Sequence, residues 1–594
     1  MKYALLLTFF LSLIIAKAEN DKVIAVYDLE GVISESGQPE SGLFDLSAGG
    51  NRPLTHFDVV RSLRAAAKDE NVKGVVLDLG SAGISFAQLQ EMRRCLQAIR
   101  EAGKDVWYYT EQLNNGSAII GSAANHFTLL PEGNVSLTGM YSESLYFKGL
   151  LDKAGLQVDV IHIGDFKSAG ETLYRTGPSD YAKKQENALF DSIFQQILTS
   201  IAKGRKMKPE ALRTLMDQGL ITPEQAVEAG LVDHLQYRTD FITKIRKHYG
   251  EDAEFDRSYA LPNLSGPEIK GFMDLMKLAF QSGKDKKRRH DYIAVVALDG
   301  EINDASIAPV RTEILKLTKD DKCKALVLRV NSPGGSALSS DVLWEATDEF
   351  EAAGKPFVVS MGAVAASGGY YVSAGASRIF AEEGTITGSI GVVGMKFVLG
   401  GAMEKMGISV HSRQRGKHAG LMSSSRGFSA EEAAIVRKSM LDVYGTFKKR
   451  ITDGRGDKIK GDLDSLAGGR VYTGIDALKI GLVDEIGGLN EAIAHAAKLA
   501  KMETFNVYLT PEPKSGLEGM FSSPSQKDED GEFIRMAEKN RAASLLRKQI
   551  KLHPAMGLLP ADQRSQLEKL VNRIESYQGN HILLLGPDLT IPSL

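Results

Sequence analysis

The sequence predicts an α/β protein built twice, each half carrying a parallel sheet flanked by helices. Two observations lead there. Runs rich in β-branched residues alternate with amphipathic helical stretches, and that pattern recurs at a fixed interval. "EAGKDVWYY" (Glu101–Tyr109) matches "AAGKPFVVS" (Ala352–Ser360), and "ITPEQAVEAGLVD" (Ile221–Asp233) matches "YTGIDALKIGLVD" (Tyr472–Asp484). "NVKGVVLDLGSAG" (Asn71–Gly83) matches "KCKALVLRVNSPG" (Lys322–Gly334), and all three pairs share an offset of 251 residues. The opening strands, "VIAVYDLEG" from Val23 and "YIAVVALDG" from Tyr292, are separated by 269 residues. The first half therefore carries a loop insertion of about 18 residues, in the Gly/Ser/Pro-rich "SESGQPESGLFDLSAGGNRP".

The elements follow in chain order. "MKYALLLTFFLSLIIAKAEN" sets a lysine, an apolar run and Ala16-Lys17-Ala18 in the order of a secretory signal peptide. Residues 1–18 are expected to be that signal or an uncleaved N-terminal anchor, and either one exports the chain. The first half is expected over 22–250 and the second over 291–508. In each, a strand ("KGVVLDL", "KALVLRV") precedes an amphipathic helix, Phe86–Ala102 or Ser339–Ala353. A second strand ("DVWYY", "KPFVVSM"), a small-residue helix, a further strand and more helix come after it. Residues 251–290 read as a polar linker with one helix near Phe272–Phe280. The span 509–594 holds a charged stretch, "SSPSQKDEDGE", a helical tail over Glu532–Gln578, and an apolar end, "HILLLGPDLTIPSL", to which the sequence assigns no role.

Composition narrows the function classes. At 594 residues the chain exceeds one ordinary core, and length alone suggests about three to four domains. A net charge of −3 with no basic stripe argues against nucleic acid as a partner, and "KDKKRR" (Lys284–Arg289) reads as solvated linker. Cys95 and Cys323 have no CxxC or Cys/His spacing around them. They are expected to be free and buried, with neither a zinc site nor a disulfide framework.

The candidate chemistry lies in "GAVAASGGYYVSAG" (Gly362–Gly375), which sets Ser367 among residues too small to shield it. Such a stretch suits a nucleophile with exposed backbone N–H groups behind it, and it equally suits a tight helix–helix contact. The repeat acts as a control. At the 251-residue offset, Ser367 faces Gly116, and "NSPGGS" (Asn331–Ser336) faces "GSAGIS" (Gly80–Ser85). The serine and the Pro-Gly-Gly loop are present together in one half and absent together from the other. A nucleophile and an oxyanion-binding loop serve one reaction and would be lost as a pair.

A serine hydroxyl also needs a base. The first histidines after Ser367 are His411 and His418, in the charged stretch "HSRQRGKHAG", where they read first as exposed loop. A buried lysine is the other option, because desolvation favours its neutral form. Lys167 in "HIGDFKSAGE" is flanked by Phe166, Ser168 and Ala169, whereas Lys417 in "RQRGKHAGLM" sits among Arg413, Arg415 and His418. The first setting suits a neutral amine better than the second.

Together, "SPGGS", "AASGGYYVSAGA", "GTITGSIGV" and "IGDFKSAGE", in a duplicated α/β chain, resemble the signal peptide peptidase A (protease IV) family in its long tandem form. The likeness runs from about Val23 to about Ala500. It implies two crotonase-like domains akin to the Clp protease subunit, and a serine protease of the Ser/Lys type without metal or other cofactor. By the resemblance, Ser367 is the nucleophile, Lys167 the general base, and the N–H groups of Gly368 and Gly335 the oxyanion hole. Ser389 would orient the lysine, and Lys417 remains an alternative base, since shorter one-domain relatives carry theirs at that place. The resemblance also implies apolar peptide substrates such as remnant signal peptides, a homotetramer seated on the membrane surface, and a place on the periplasmic side of the inner membrane. Two other readings compete: a noncatalytic scaffold that keeps the fold, and acyl-CoA chemistry, which export disfavours.

Overall fold

Val/Ile-rich runs buried on both faces form the predicted strands, as parallel sheets covered by helices require. The computed structural model describes residues 22–37, 52–80, 82–263, 288–513 and 582–587. The expected signal or anchor (1–18), the linker helix near Phe272–Phe280 and the helical tail 532–578 lie outside the described residues.

The first half supplies β1 (Val23–Asp28), β2 (Val72–Asp78), β3 (Asp105–Leu113), β4 (His126–Val135), β5 (Gln157–Ile163), β6 (His234–Leu235) and β7 (Glu254–Asp256). Six of these make a parallel sheet in the order β6-β4-β3-β2-β1-β7. The second half supplies β8 (Tyr292–Asp299), β9 (Cys323–Ser332), β10 (Gly334–Ser336), β11 (Phe357–Ala366), β12 (Arg378–Ala381), β13 (Ile386–Gly388), β14 (Val392–Val398), β15 (Val471–Thr473), β16 (Glu485–Ile486) and β17 (Asn506–Leu509). Its sheet runs β15-β13-β11-β9-β8-β17, with β12 beside the start of β11 and β16 beside β12. Because β7 pairs with β1, the first sheet reaches Asp256, inside the span expected to be linker.

Helix ends follow local capping chemistry. The helix Phe86–Glu101 starts after Ser85, whose side chain and Gln88 cap each other. Its counterpart spans Ala337–Ala352 and begins two residues before the expected Ser339, because Ser336 takes the cap and accepts from the Ser339 N–H.

A third, four-stranded sheet positions the site. Its order is β10-β18-β14-β5, all antiparallel, where β18 is Ile582–Leu585 from the far end of the chain. Here β5 of the first half pairs with β14 of the second, Ile163 opposite Val392 and Gln157 opposite Val398. The halves also share one apolar core, in which Leu63, Val75 and Leu96 pack with Val295, Val327, Val358 and Ile493. The duplicated fold is therefore a single fused body rather than two modules on a string.

Candidate active site

Strand β11 ends at Ala366 between β9 and β13, with Ala365 opposite Ser332 and Ala366 opposite Gly388. Ser367 follows with φ of +54°, a strained backbone for a residue with a Cβ, and donates its N–H to Gly388 O at 2.8 Å. The short helix Gly368–Ser373 then begins. This sharp strand-to-helix turn explains the small residues around the serine. A Cβ on Gly368 would lie 2.6 Å from Ser340 Oγ and 3.2 Å from Gly335 N, so the turn is pressed directly against the Pro-Gly-Gly loop.

Lys167 comes from the other half. It sits in the turn that leaves β5, and the docking of β5 on β14 carries that turn to the end of β11. The turn is pinned by the Phe166 N–H, which donates to Gly468 O at 2.9 Å. Lys167 is buried, and its Nζ lies 2.7 Å from Ser367 Oγ, 2.8 Å from Ser389 O and 3.1 Å from Ser389 Oγ. Burial pushes its amine well below the usual lysine range. A neutral amine has two N–H donors and one lone pair, and these three contacts suit it. Both donors can go to Ser389, which leaves the lone pair for the Ser367 hydroxyl. Such an amine can take the hydroxyl proton as the oxygen attacks.

The other expected residues fall as follows. Ser389, just after β13 with φ of +53°, donates its N–H to Arg470 O at 2.7 Å and presents two oxygens to the lysine. Gly335 lies in β10 beside Gly368. Lys417 is not brought to Ser367: its side chain is 72% exposed and pairs with Glu431. His411 is exposed, and His418 is 3.8 Å from the same Glu431. Cys95 and Cys323 are free and buried as expected, and burial pushes each thiol up to about 12.

One supporting feature escaped the sequence reading. Gly469, at φ of +84°, approaches so closely that a Cβ there would lie 2.5 Å from Lys167 N and 2.6 Å from its Cα. The repeat held the signal. Gly468-Gly469 stand where the first half has Asp217-Gln218, a third difference at the same 251-residue offset.

Two families of known proteins match the chain. Residues 98–251 and 349–503 both match Peptidase family S49, and residues 285–386 match Clp protease. Protease 4 of Salmonella typhi is 31% identical over 510 residues, covering 82% of this chain and 80% of that protein. Protease 4 of Haemophilus influenzae is 31% identical over 472 residues, or 75% of this chain and 73% of that one. A chloroplastic serine protease SPPA of Arabidopsis thaliana is 31% identical over 449 residues, 74% of this chain and 64% of that one. With the S49 domain present twice and the likeness spread over most of its length, the chain belongs to peptidase family S49 as a serine protease of the long two-domain form.

Proposed function

We propose that the chain is an exported endopeptidase with a Ser/Lys dyad, degrading cleaved signal peptides and other apolar peptides at the membrane. The observation that carries the reading is the buried 2.7 Å contact between Lys167 Nζ and Ser367 Oγ. Neutral Lys167 takes the Ser367 proton as Oγ attacks the peptide carbonyl. The N–H groups of Gly368 and Gly335 receive the oxyanion, and Ser389 holds the amine. Lys167 then protonates the leaving amine, and the acyl-enzyme is hydrolysed by water activated at the same amine. In this reading the 22–250 half delivers the base and the 291–508 half delivers the nucleophile.

The preference for apolar peptides is supported by the cluster next to the dyad, where Leu151, Ala169, Leu173, Val393 and Met395 pack together. No helix among the described residues is long and apolar enough to cross a membrane. On the family resemblance, the chain is placed on the periplasmic side of the inner membrane, as a homotetramer seated on the bilayer if residues 1–18 are a cleaved signal, and anchored by them as well if they are kept.

The test is a fluorophosphonate label together with hydrolysis of apolar peptide esters. Ser367→Ala should lose the label, and both Ser367→Ala and Lys167→Ala should lose about 10³-fold or more in turnover. Lys417→Ala should keep its activity. An active Lys167→Ala beside an inactive Lys417→Ala would move the base to the second half, and a chain that takes no label would favour the scaffold reading.

A further inference from the structure

We infer that the first half keeps a peptide-binding slot that does not cleave, built from the residues its repeat aligns with the groove beside Ser367. The inference rests on the dyad reading above for what that groove binds. At the 251-residue offset, Ala365-Ala366-Ser367-Gly368 become Asn114-Asn115-Gly116-Ser117, and Gly334-Gly335-Ser336 become Gly83-Ile84-Ser85. Two of these changes remove the chemistry. Gly116 has no hydroxyl. The Ser117 N–H, which stands where Gly368 offers an oxyanion donor, donates instead to Asn114 Oδ1 at 2.9 Å.

The strand edge survives them. Gly83 spends its main chain on one side, donating its N–H to Gly31 O at 2.8 Å and accepting from the Ile33 N–H at 3.4 Å. In an extended chain successive residues present N–H and C=O to opposite edges, so Ile84 turns its pair outward. Among the described residues that pair takes no partner, whereas its counterpart Gly335 pairs with Leu584 of β18. A Cβ on Gly334 would lie 1.9 Å from Leu584 O. A Cβ on Gly83 would meet nothing nearer than Val32 Cγ2 at 3.6 Å, and Gly83 is exposed.

Asn115 marks the slot independently. It is 8% exposed, and its Nδ2 donates to Gly139 O at 2.9 Å. A carbonyl only accepts, so this contact fixes the amide's orientation. Its Oδ1 is left buried, with no partner among the described residues. The counterpart Ala366 faces the groove, since a Cβ on Gly586, which follows β18, would lie 3.4 Å from Ala366 Cβ. Asn115 thus sets a buried acceptor on the slot side, and a peptide N–H would satisfy it. Pairing through Ile84 and Asn115 reads the main chain, as strand addition to an edge does. Side-chain preference differs from that of the Ser367 groove. Ser142 and Ser144 stand where β14 carries Val393 and Met395 of the apolar cluster beside the dyad. The slot therefore takes an extended stretch of polypeptide with small polar side chains.

The test uses the full chain with Ser367 blocked by an apolar peptidyl phosphonate, and a fluorescein-labelled Ser/Thr octapeptide as probe. Fluorescence anisotropy should report one probe bound per chain. Gly83→Ile sends a side chain into the slot from an exposed position and should abolish binding. Asn115→Ala removes the free acceptor and should weaken binding about tenfold. Thermal unfolding of each variant shows that it is folded. A further measurement needs no variant: in the wild-type chain the probe should slow hydrogen exchange at the Ile84 amide. No binding, binding that survives Gly83→Ile in a folded chain, or an Ile84 amide that exchanges unchanged would each overturn the inference while leaving the dyad intact. Binding that appears only once the chain is diluted would also overturn it, by making the occupant a second copy of the chain. Failure of the phosphonate to attach to Ser367 would instead count against the dyad reading, and exchange at Ile84 in the untreated chain would still decide the slot.

Discussion

Lys167 Nζ stands 2.7 Å from Ser367 Oγ, although 200 residues separate the two in the chain. Neither half holds both groups. The contact exists because β5 of one half pairs along its length with β14 of the other, so half-to-half docking and assembly of the site are the same event.

The pH dependence follows from the direction of the lysine's shift. Burial holds the Lys167 amine well below its ordinary 10.5, so kcat/KM should rise as the ammonium loses its proton and level off well before that value. Stability moves in the same direction. Between the lowered folded pKa and 10.5 the unfolded chain binds a proton that the folded chain does not, so unfolding becomes harder as pH rises. Lys167→Met, which cannot titrate, should be more stable than the wild type at neutral pH, by a margin that shrinks toward pH 10.5. Denaturant midpoints across a pH series check this, and a constant margin would show that the buried amine is not the cause.

Ser389→Ala removes the hydroxyl acceptor at 3.1 Å and leaves the carbonyl at 2.8 Å. One hydrogen bond is worth about 1 kcal/mol, so kcat/KM should fall about five- to tenfold rather than vanish. An acceptor favours the ammonium more than the amine, so the acid limb should also move to lower pH. A purely structural serine would lower activity without moving the limb.

Much of this site was legible because the chain carries its own control. Ser367 and the Pro-Gly-Gly loop stood out against Gly116 and "GSAGIS", and Lys167 was separable from Lys417 by its apolar neighbours. What stayed hidden depends on contacts between distant segments. Helix and strand periodicity describes one segment at a time, so the β5–β14 pairing that delivers the lysine leaves no local mark. The same holds for "ILLL" at 582–585, a short apolar run compatible with helix or strand, whose partners are two edges more than 180 residues upstream. Gly469 was readable in principle, but its meaning lay in the turn it faces rather than in its own neighbours.

Gly469→Ala tests that close approach. Its Cβ would collide with the Lys167 backbone at 2.5 Å on a φ of +84°, so the lysine turn must move. We expect a loss of about 1–3 kcal/mol in stability and a large loss of activity. Gly468→Ala separates strain from collision, because its φ is also positive, at +66°, but nothing lies within 4 Å of the added carbon. It should cost stability and retain far more activity, as thermal unfolding and ester hydrolysis measured together would reveal.

The buried charge network between the halves yields the last prediction. Arg329 of the second half is 1% exposed, bonds Glu35 at 3.0 and 3.1 Å, and lies 3.4 Å from Glu91. Glu91 also meets His56 at 3.0 Å, and both glutamates belong to the first half. Burial would raise the Glu91 carboxyl, yet the Arg329 guanidinium and His56 hold it below the usual carboxylate range. Arg329→Met strands two buried carboxylates, which should cost about 3–5 kcal/mol and weaken the docking that sets Lys167 against Ser367. Adding Glu35→Gln and Glu91→Gln removes the stranded charges and should recover much of that loss. The penalty of the single variant should also shrink as pH falls and Glu91 protonates, because stability from its depressed carboxyl is present above its unfolded pKa and lost on acidification. Equal unfolding midpoints for the single and triple variants across that pH range would show that charge burial does not hold the halves together.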